Sequence, residues 1–141
     1  MIAQYLAINA PERVNKLVLA VTVARPNKIL EETMNGWIEM AKNQDFKGIL
    51  VDMSERSYTG EYLETVRKQY KLFETMGKNA TYDRFICEAE SCLNHNAFNR
   101  LQEIKVPTLI IGAKQDKVFG VEGSKELAEK ISNSELYIYN E

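Results

Sequence analysis

An α/β fold with about three parallel strands, flanking helices and a long helical insertion is the architecture that this sequence predicts. Two runs, 17–22 and 106–112, are apolar and rich in β-branched residues, which is typical of strands buried in a parallel sheet. A third such run covers 135–139, and helical spacing fills the intervals between the runs. The order of helix, strand, helical block, strand, helix and strand implies parallel strands joined by helices, and 141 residues suffice for one core.

The first two elements are a short helix and a strand. Ile2, Tyr5, Leu6 and Asn9 fall three and four residues apart, and Pro11 ends this pattern. The run 17–22 then lies between two prolines and is expected to be buried on both faces. Together they resemble half of a unit in which a helix joins two parallel strands, and the other strand of that unit would precede Met1.

The long middle segment, 26–100, is predicted to be helical throughout. Its apolar residues recur at helical spacing, which indicates several amphipathic helices with one buried face each. Its large side chains, interpreted first as core residues, are also candidates to line an apolar acyl or aromatic pocket. These candidates are Met34, Trp37, Met40, Met53, Phe73 and Met76.

Composition excludes several classes of function. A net charge of −2, from 18 basic and 20 acidic residues spread along the chain, favours no nucleic-acid partner. One histidine and two cysteines cannot form the usual metal clusters, so neither metal nor cofactor is expected. Cys87 and Cys92 are interpreted as core residues. No apolar run is long enough for a bilayer, and without a recognisable leader the expected location is cytoplasmic.

Three segments together resemble the α/β-hydrolase family. The segment 1–19 is similar to the helix after the nucleophile and the strand that follows it. The segment 99–112, running into Asp116, is similar to the return from the lid into the strand that carries the triad acid. The segment 135–139 resembles the last strand before the histidine loop. The resemblance implies a partial hydrolase core at 1–25 and 101–141, with a helical lid at 26–100.

The resemblance also implies an incomplete catalytic triad. The family orders its triad as nucleophile, acid and histidine, with the nucleophile in a G-x-S-x-G turn. No serine here has that setting, and the family's histidine would lie beyond residue 141. Asp116, after the second strand, matches the acid and is the one catalytic residue predicted. His95, the single histidine, precedes the acid in the chain and is interpreted as structural.

We therefore expect the C-terminal half of an esterase, lipase or peptidase-like hydrolase that acts on a small-molecule ester or amide, with the chain itself inactive. The short length has three possible explanations: a truncated expression product, a gene start assigned to an internal methionine, or a true short protein. The alternative function is a non-catalytic helical binding or assembly module on a small sheet. An unpaired, apolar edge of the first strand predicts a homodimer or a larger assembly.

Overall fold

A three-stranded parallel sheet organises the chain in a computed structural model that describes residues 1–76 and 81–140. The strands are β1 (Leu17–Ala20), β2 (Thr108–Ala113) and β3 (Ser134–Tyr139), in the order β1-β2-β3. Leu17 lies opposite Thr108, which in turn lies opposite Ser134. The prediction of an α/β fold with about three parallel strands and flanking helices is confirmed.

Seven α-helices are present in the described ranges, and five of them lie between β1 and β2. Two short 3₁₀ helices, Pro11–Arg13 and Phe98–Glu103, precede β1 and β2. The α-helices are α1 (Ile2–Asn9), α2 (Lys28–Lys42), α3 (Phe46–Ser57), α4 (Gly60–Arg67), α5 (Tyr70–Met76), α6 (Tyr82–Leu93) and α7 (Val121–Lys130).

One face of the sheet is buried. Alternate strand residues such as Leu19 and Ile110 point to this face, where α1 contributes Ala7 and α7 contributes Leu127. Leu101, from the second 3₁₀ helix, completes the same fully buried cluster. Burial of this apolar surface is the main force that holds α1 and α7 against the strands.

The opposite face of the sheet is more exposed than the apolar runs predicted. Val18 is 58% exposed, Tyr137 is 55% exposed and Tyr139 is 54% exposed, with Leu109 beside them. This differs from the expectation that the strand at 17–22 would be buried on both faces. The difference has a simple cause, because α1 and α7 both pack on the other face.

Two glycines set the position of α7. A Cβ atom on Gly123 would lie 2.5 Å from Cγ1 of Val23, so only glycine permits this approach of α7 to the segment after β1. Gly120, just before α7, has a φ of +74°, which glycine adopts without strain. The chain can therefore turn sharply between the loop at 114–120 and α7.

The helices between β1 and β2 form a second core. Leu30, Met34 and Trp37 of α2 pack with Ala89 of α6 and with Val118, which belongs to the loop after β2. Both ends of this helical segment are joined, because the backbone N–H of Ala97 donates to the carbonyl of Ala24 at 2.8 Å.

Candidate active site

Asp116 lies in the loop that follows the carboxyl end of β2. Its Oδ1 accepts hydrogen bonds from the backbone N–H groups of Val118, at 2.8 Å, and Phe119, at 2.9 Å. An aspartate can hold a turn in this way, which is the structural role available to it from position alone. Asp116 is partly buried and lines a cavity beside this turn, where a hydrogen-bond donor could approach its carboxylate.

A cleft of about 230 Å³ opens beside Asp116. Val21 lines it from the end of β1, Arg56 and Thr59 line it from the helical segment, and Phe119 lines it from the loop. The carboxyl ends of neighbouring parallel strands thus meet at this cleft, which is where open α/β sheets bind ligands.

An apolar pocket of about 400 Å³ adjoins this cleft. Trp37, Met34 and Met53 line it, as the helical spacing allowed, and Phe85 of α6 lines it as well. Val118 and Phe119 form part of both cavities, so the pocket begins next to the turn that fixes Asp116. Its size and apolar walls suit an acyl chain or a small ring.

The other pocket candidates lie elsewhere. Met40 packs against the second core without lining the pocket. Phe73 contacts the ring of Tyr70 at a centroid distance of 5.4 Å. The side chain of Met76 lies outside the described part of the chain.

Val21 adopts a strained backbone conformation between the cleft at Asp116 and a larger cavity of about 1000 Å³, which Met1 and His95 also line. Its φ is +41°, in a region that β-branched residues rarely occupy. Its N–H nevertheless continues the ladder of β1 by donating to Ile111 at 2.8 Å. Such strain is often found where a strand leaves a sheet at a functional edge.

His95 belongs to a separate, buried polar cluster. Its Nε2 lies 3.0 Å from Oε1 of Gln4, whose amide nitrogen donates to the carbonyl of Val23 at 2.9 Å. Its ring also meets the ring of Tyr5 edge to face, at a centroid distance of 5.4 Å. Burial lowers the pKa of His95, and the charged amino group of Met1 lowers it further. This environment favours a neutral imidazole that holds α1 to the segments before and after the helical block.

The remaining reactive groups form no second centre. Cys87 is exposed, which corrects its interpretation as a core residue, because it lies on the outer side of α6. Cys92 is partly buried, and burial raises the pKa of its thiol. Within residues 1–76 and 81–140, no three His, Cys, Asp or Glu side chains group closely enough to hold a metal ion. Of the helices described, none is long and apolar enough to cross a bilayer.

Comparison with known proteins identifies this architecture. The family model described as the alpha/beta hydrolase fold matches residues 1–141. The chain belongs to the α/β-hydrolase family. Among curated proteins, this hydrolase-family chain is similar to 3-oxoadipate enol-lactonase 2 of Acinetobacter baylyi, with 26% identity over 136 residues. That match covers 96% of the chain and 50% of the enol-lactonase, so the chain spans about half the length of this relative.

Solved structures of α/β-hydrolases superpose closely on the chain. An α/β-hydrolase enzyme from a Medee basin deep-sea metagenome library has a TM-score of 0.87 and 26% identity, over 97% of this chain and 52% of that one. The enol-lactonase of Burkholderia xenovorans has a TM-score of 0.79 and 19% identity, over 98% and 52%. The esterase of Exiguobacterium antarcticum has a TM-score of 0.76 and 24% identity, over 99% and 54%. The latter two similarities show the fold alone.

Several residues of the site gave no signal in the sequence. Arg56 and Thr59 reach the cleft from the helical segment, and Phe85 and Val118 reach the pocket, but each looks like an ordinary helix or loop residue. Asp116 is the site residue that the sequence does predict, from its position after an apolar strand and from the family resemblance, and its catalytic role stays a prediction.

Proposed function

We propose that this chain forms the acid and pocket half of a hydrolase that acts on small-molecule esters or lactones, with Asp116 as the triad acid. The fixed carboxylate of Asp116 carries this proposal. Two backbone N–H groups hold Oδ1, and Asp116 lines the cleft. In a triad, an acid held in this way fixes the tautomer of the histidine and stabilises its charged form.

The apolar pocket supports an ester or lactone with an apolar part. The side chains of Trp37, Met53 and Phe85 line the pocket, where an acyl chain or a ring could be buried next to the loop of Asp116. The names of the relatives support the same class, since they include enol-lactonases and an esterase. In this proposal the helical segment 26–100 acts as the lid.

The chain by itself is proposed to be inactive in hydrolysis. Nucleophilic catalysis needs an activated serine, and none of the serines in the sequence has the G-x-S-x-G setting. His95 does not replace the triad histidine, because it bonds to Gln4 and lines a different cleft from Asp116. The nucleophile and the catalytic histidine would then be encoded outside codons 1–141.

Reading the genomic DNA on both sides of these codons tests this proposal. We expect one open frame that encodes a G-x-S-x-G turn upstream and a histidine loop downstream. In-frame stop codons close to both ends, or p-nitrophenyl butyrate turnover by residues 1–141 that Asp116→Asn abolishes, would contradict it.

Binding at the pocket has its own test. Trp37 is the only tryptophan in the sequence and lines the pocket, so its fluorescence reports occupancy. We expect methyl hexanoate to change this fluorescence saturably, and Met53→Lys to weaken the response because it brings a charge to the pocket wall. Tyr62→Lys adds the same charge on the exposed side of α4, outside the pocket, and is the control. An equal response in all three proteins would contradict the pocket assignment.

A second candidate, self-association, rests on the exposed sheet. Val18 lies on the edge strand β1. Its side chain shares the exposed face of the sheet with Leu109 of β2 and with Tyr137 and Tyr139 of β3. Sheet edges with apolar side chains readily pair with another chain, so we propose a homodimer through β1.

A further inference from the structure

The loop that carries Asp116 is held by two side chains of the helical segment. Nη1 of Arg56, near the end of α3, donates to the carbonyl of Lys117 at 3.1 Å. Nδ2 of Asn27, just before α2, donates to the carbonyl of Phe119 at 2.6 Å. Both contacts join positions far apart in the sequence, so they fix the loop from outside itself.

Arg56 is itself fixed in place. Its Nε donates to Oδ2 of Asp52 at 2.6 Å, and the indole N–H of Trp37 donates to the same oxygen at 2.7 Å. Asp52 therefore neutralises Arg56 and orients it, while Trp37 connects the pair to the wall of the apolar pocket. With its charge already paired, Arg56 is better suited to hold the loop than to bind an anionic substrate.

The carbonyl that accepts from Arg56 and an N–H that donates to Asp116 belong to one peptide group. Lys117 supplies the C=O, and Val118 supplies the N–H that donates to Oδ1 of Asp116. A peptide group is planar, so fixing its oxygen fixes the direction of its N–H. A hydrogen bond at the oxygen also polarises the group and strengthens the N–H as a donor.

Asn27 fixes the far end of the same turn. Its Oδ1 accepts from the N–H of Leu30 at 2.9 Å and so caps α2, while its Nδ2 holds Phe119. The backbone N–H of Phe119 also donates a hydrogen bond to Oδ1 of Asp116. The start of α2 and the turn around the carboxylate are thus joined by one side chain.

We propose that Arg56 is a positioning residue for the Asp116 carboxylate, acting through the peptide group between Lys117 and Val118, and that Asn27 assists it from the other end of the turn. The functional meaning of this arrangement rests on the proposed role of Asp116. Through these contacts, the orientation of the Asp116 carboxylate depends on the positions of α2 and α3, and both helices also line the apolar pocket.

Amide hydrogen exchange measured by NMR on the full chain tests the proposal. In Arg56→Ala, we expect exchange at Val118 to become about tenfold faster, since one hydrogen bond that orients this amide is lost. The carboxyl carbon signal of Asp116 should move in the same variant. Arg84→Ala is the matched control, because Arg84 pairs with Glu88 on the exposed side of α6 and contacts no part of the loop. Unchanged exchange at Val118, relative to this control, would overturn the proposal.

Two further variants separate positioning from general stability. Arg56→Lys keeps a cation for Asp52 but lacks the rigid fork that reaches both partners, so Val118 should still exchange faster. Asn27→Ser keeps a helix cap but loses the donor to Phe119, so exchange should rise in the loop while α2 stays protected. Equal acceleration across α2 and the loop would overturn the role of Asn27. Because exchange is measured without turnover, failure of the proposed hydrolase function leaves this result intact.

Discussion

Nε2 of His95 lies 3.0 Å from Oε1 of Gln4, and this contact joins the end of the helical segment to α1. Both side chains are buried, and Gln4 is fully so. The neutral imidazole therefore completes a polar network inside the protein. Protonation would place a charge where burial already lowers the pKa of His95.

Thermal stability should consequently fall on acidification. A histidine with a lowered pKa in the folded state binds fewer protons than in the unfolded state, so its contribution is fully present above the ordinary value of about 6.5. That contribution is lost as the pH falls below this value toward the folded pKa. Calorimetry at pH 7.0 and 5.0 should show a larger drop in Tm for the wild type than for His95→Gln. An equal drop in both proteins would contradict the assignment.

The contact between Arg25 and Phe98 should be measurable as a coupling energy. The guanidinium carbon of Arg25 lies 3.8 Å from the ring centre, and Arg25 also pairs with Glu126 of α7. Arg25 is about half exposed, so we expect a coupling of about 0.5–1 kcal/mol between Arg25→Ala and Phe98→Leu in urea unfolding. The cycle of Arg25→Ala with Glu126→Gln is the control and should give less. Zero coupling to Phe98 would refute the prediction.

Relief of strain at Val21 should stabilise the protein. A left-handed conformation costs roughly 1–2 kcal/mol for a residue with a Cβ, and less for asparagine. Since Val21 is 43% exposed, Val21→Asn loses little packing, and we expect a rise in Tm corresponding to about 1 kcal/mol. Val18→Asn makes the same change in a regular strand position and should lower Tm instead. A lower Tm in Val21→Asn would show that the valine side chain contributes more than its strain costs.

Association through β1 should depend on Val18. Size-exclusion chromatography with light scattering is expected to give a dimer for the wild type and a monomer for Val18→Lys, because a charge on an edge strand blocks pairing. Val18→Thr keeps the branched shape without a charge and should remain dimeric. A folded wild-type monomer of 16.2 kDa at micromolar concentration would disprove self-association.

Apolar runs in the sequence predict the strands, and helical spacing predicts most of the helices, because one face of each helix must be buried. Asp116 is also a prediction from the sequence, because the family resemblance places the triad acid after this strand, and its catalytic role stays a proposal. The side chains that hold the loop around Asp116 could not be predicted from the sequence. Arg56 and Asn27 reach it through backbone carbonyls, and a carbonyl contact leaves no residue type in the sequence to recognise.

The exposure of one face of the sheet could not be predicted from the sequence either. Val18 and Leu109 belong to apolar runs that look buried on both faces, and the pattern cannot say which elements cover them. The left-handed backbone conformation of Val21 could not be predicted either, because valine is a residue that sequence patterns assign to strands.

The hydrogen bond between Ala97 and Ala24 has an evolutionary consequence. Because the helical segment leaves and re-enters the rest of the chain at adjacent backbone positions, its two ends are already as close as a tight turn would bring them. Helices of another number or length can be grafted between these points without moving β1 or β2. Under the proposed function, the junction lets selection exchange the helices that form the apolar pocket while the strands and the loop at 114–120 are inherited unchanged.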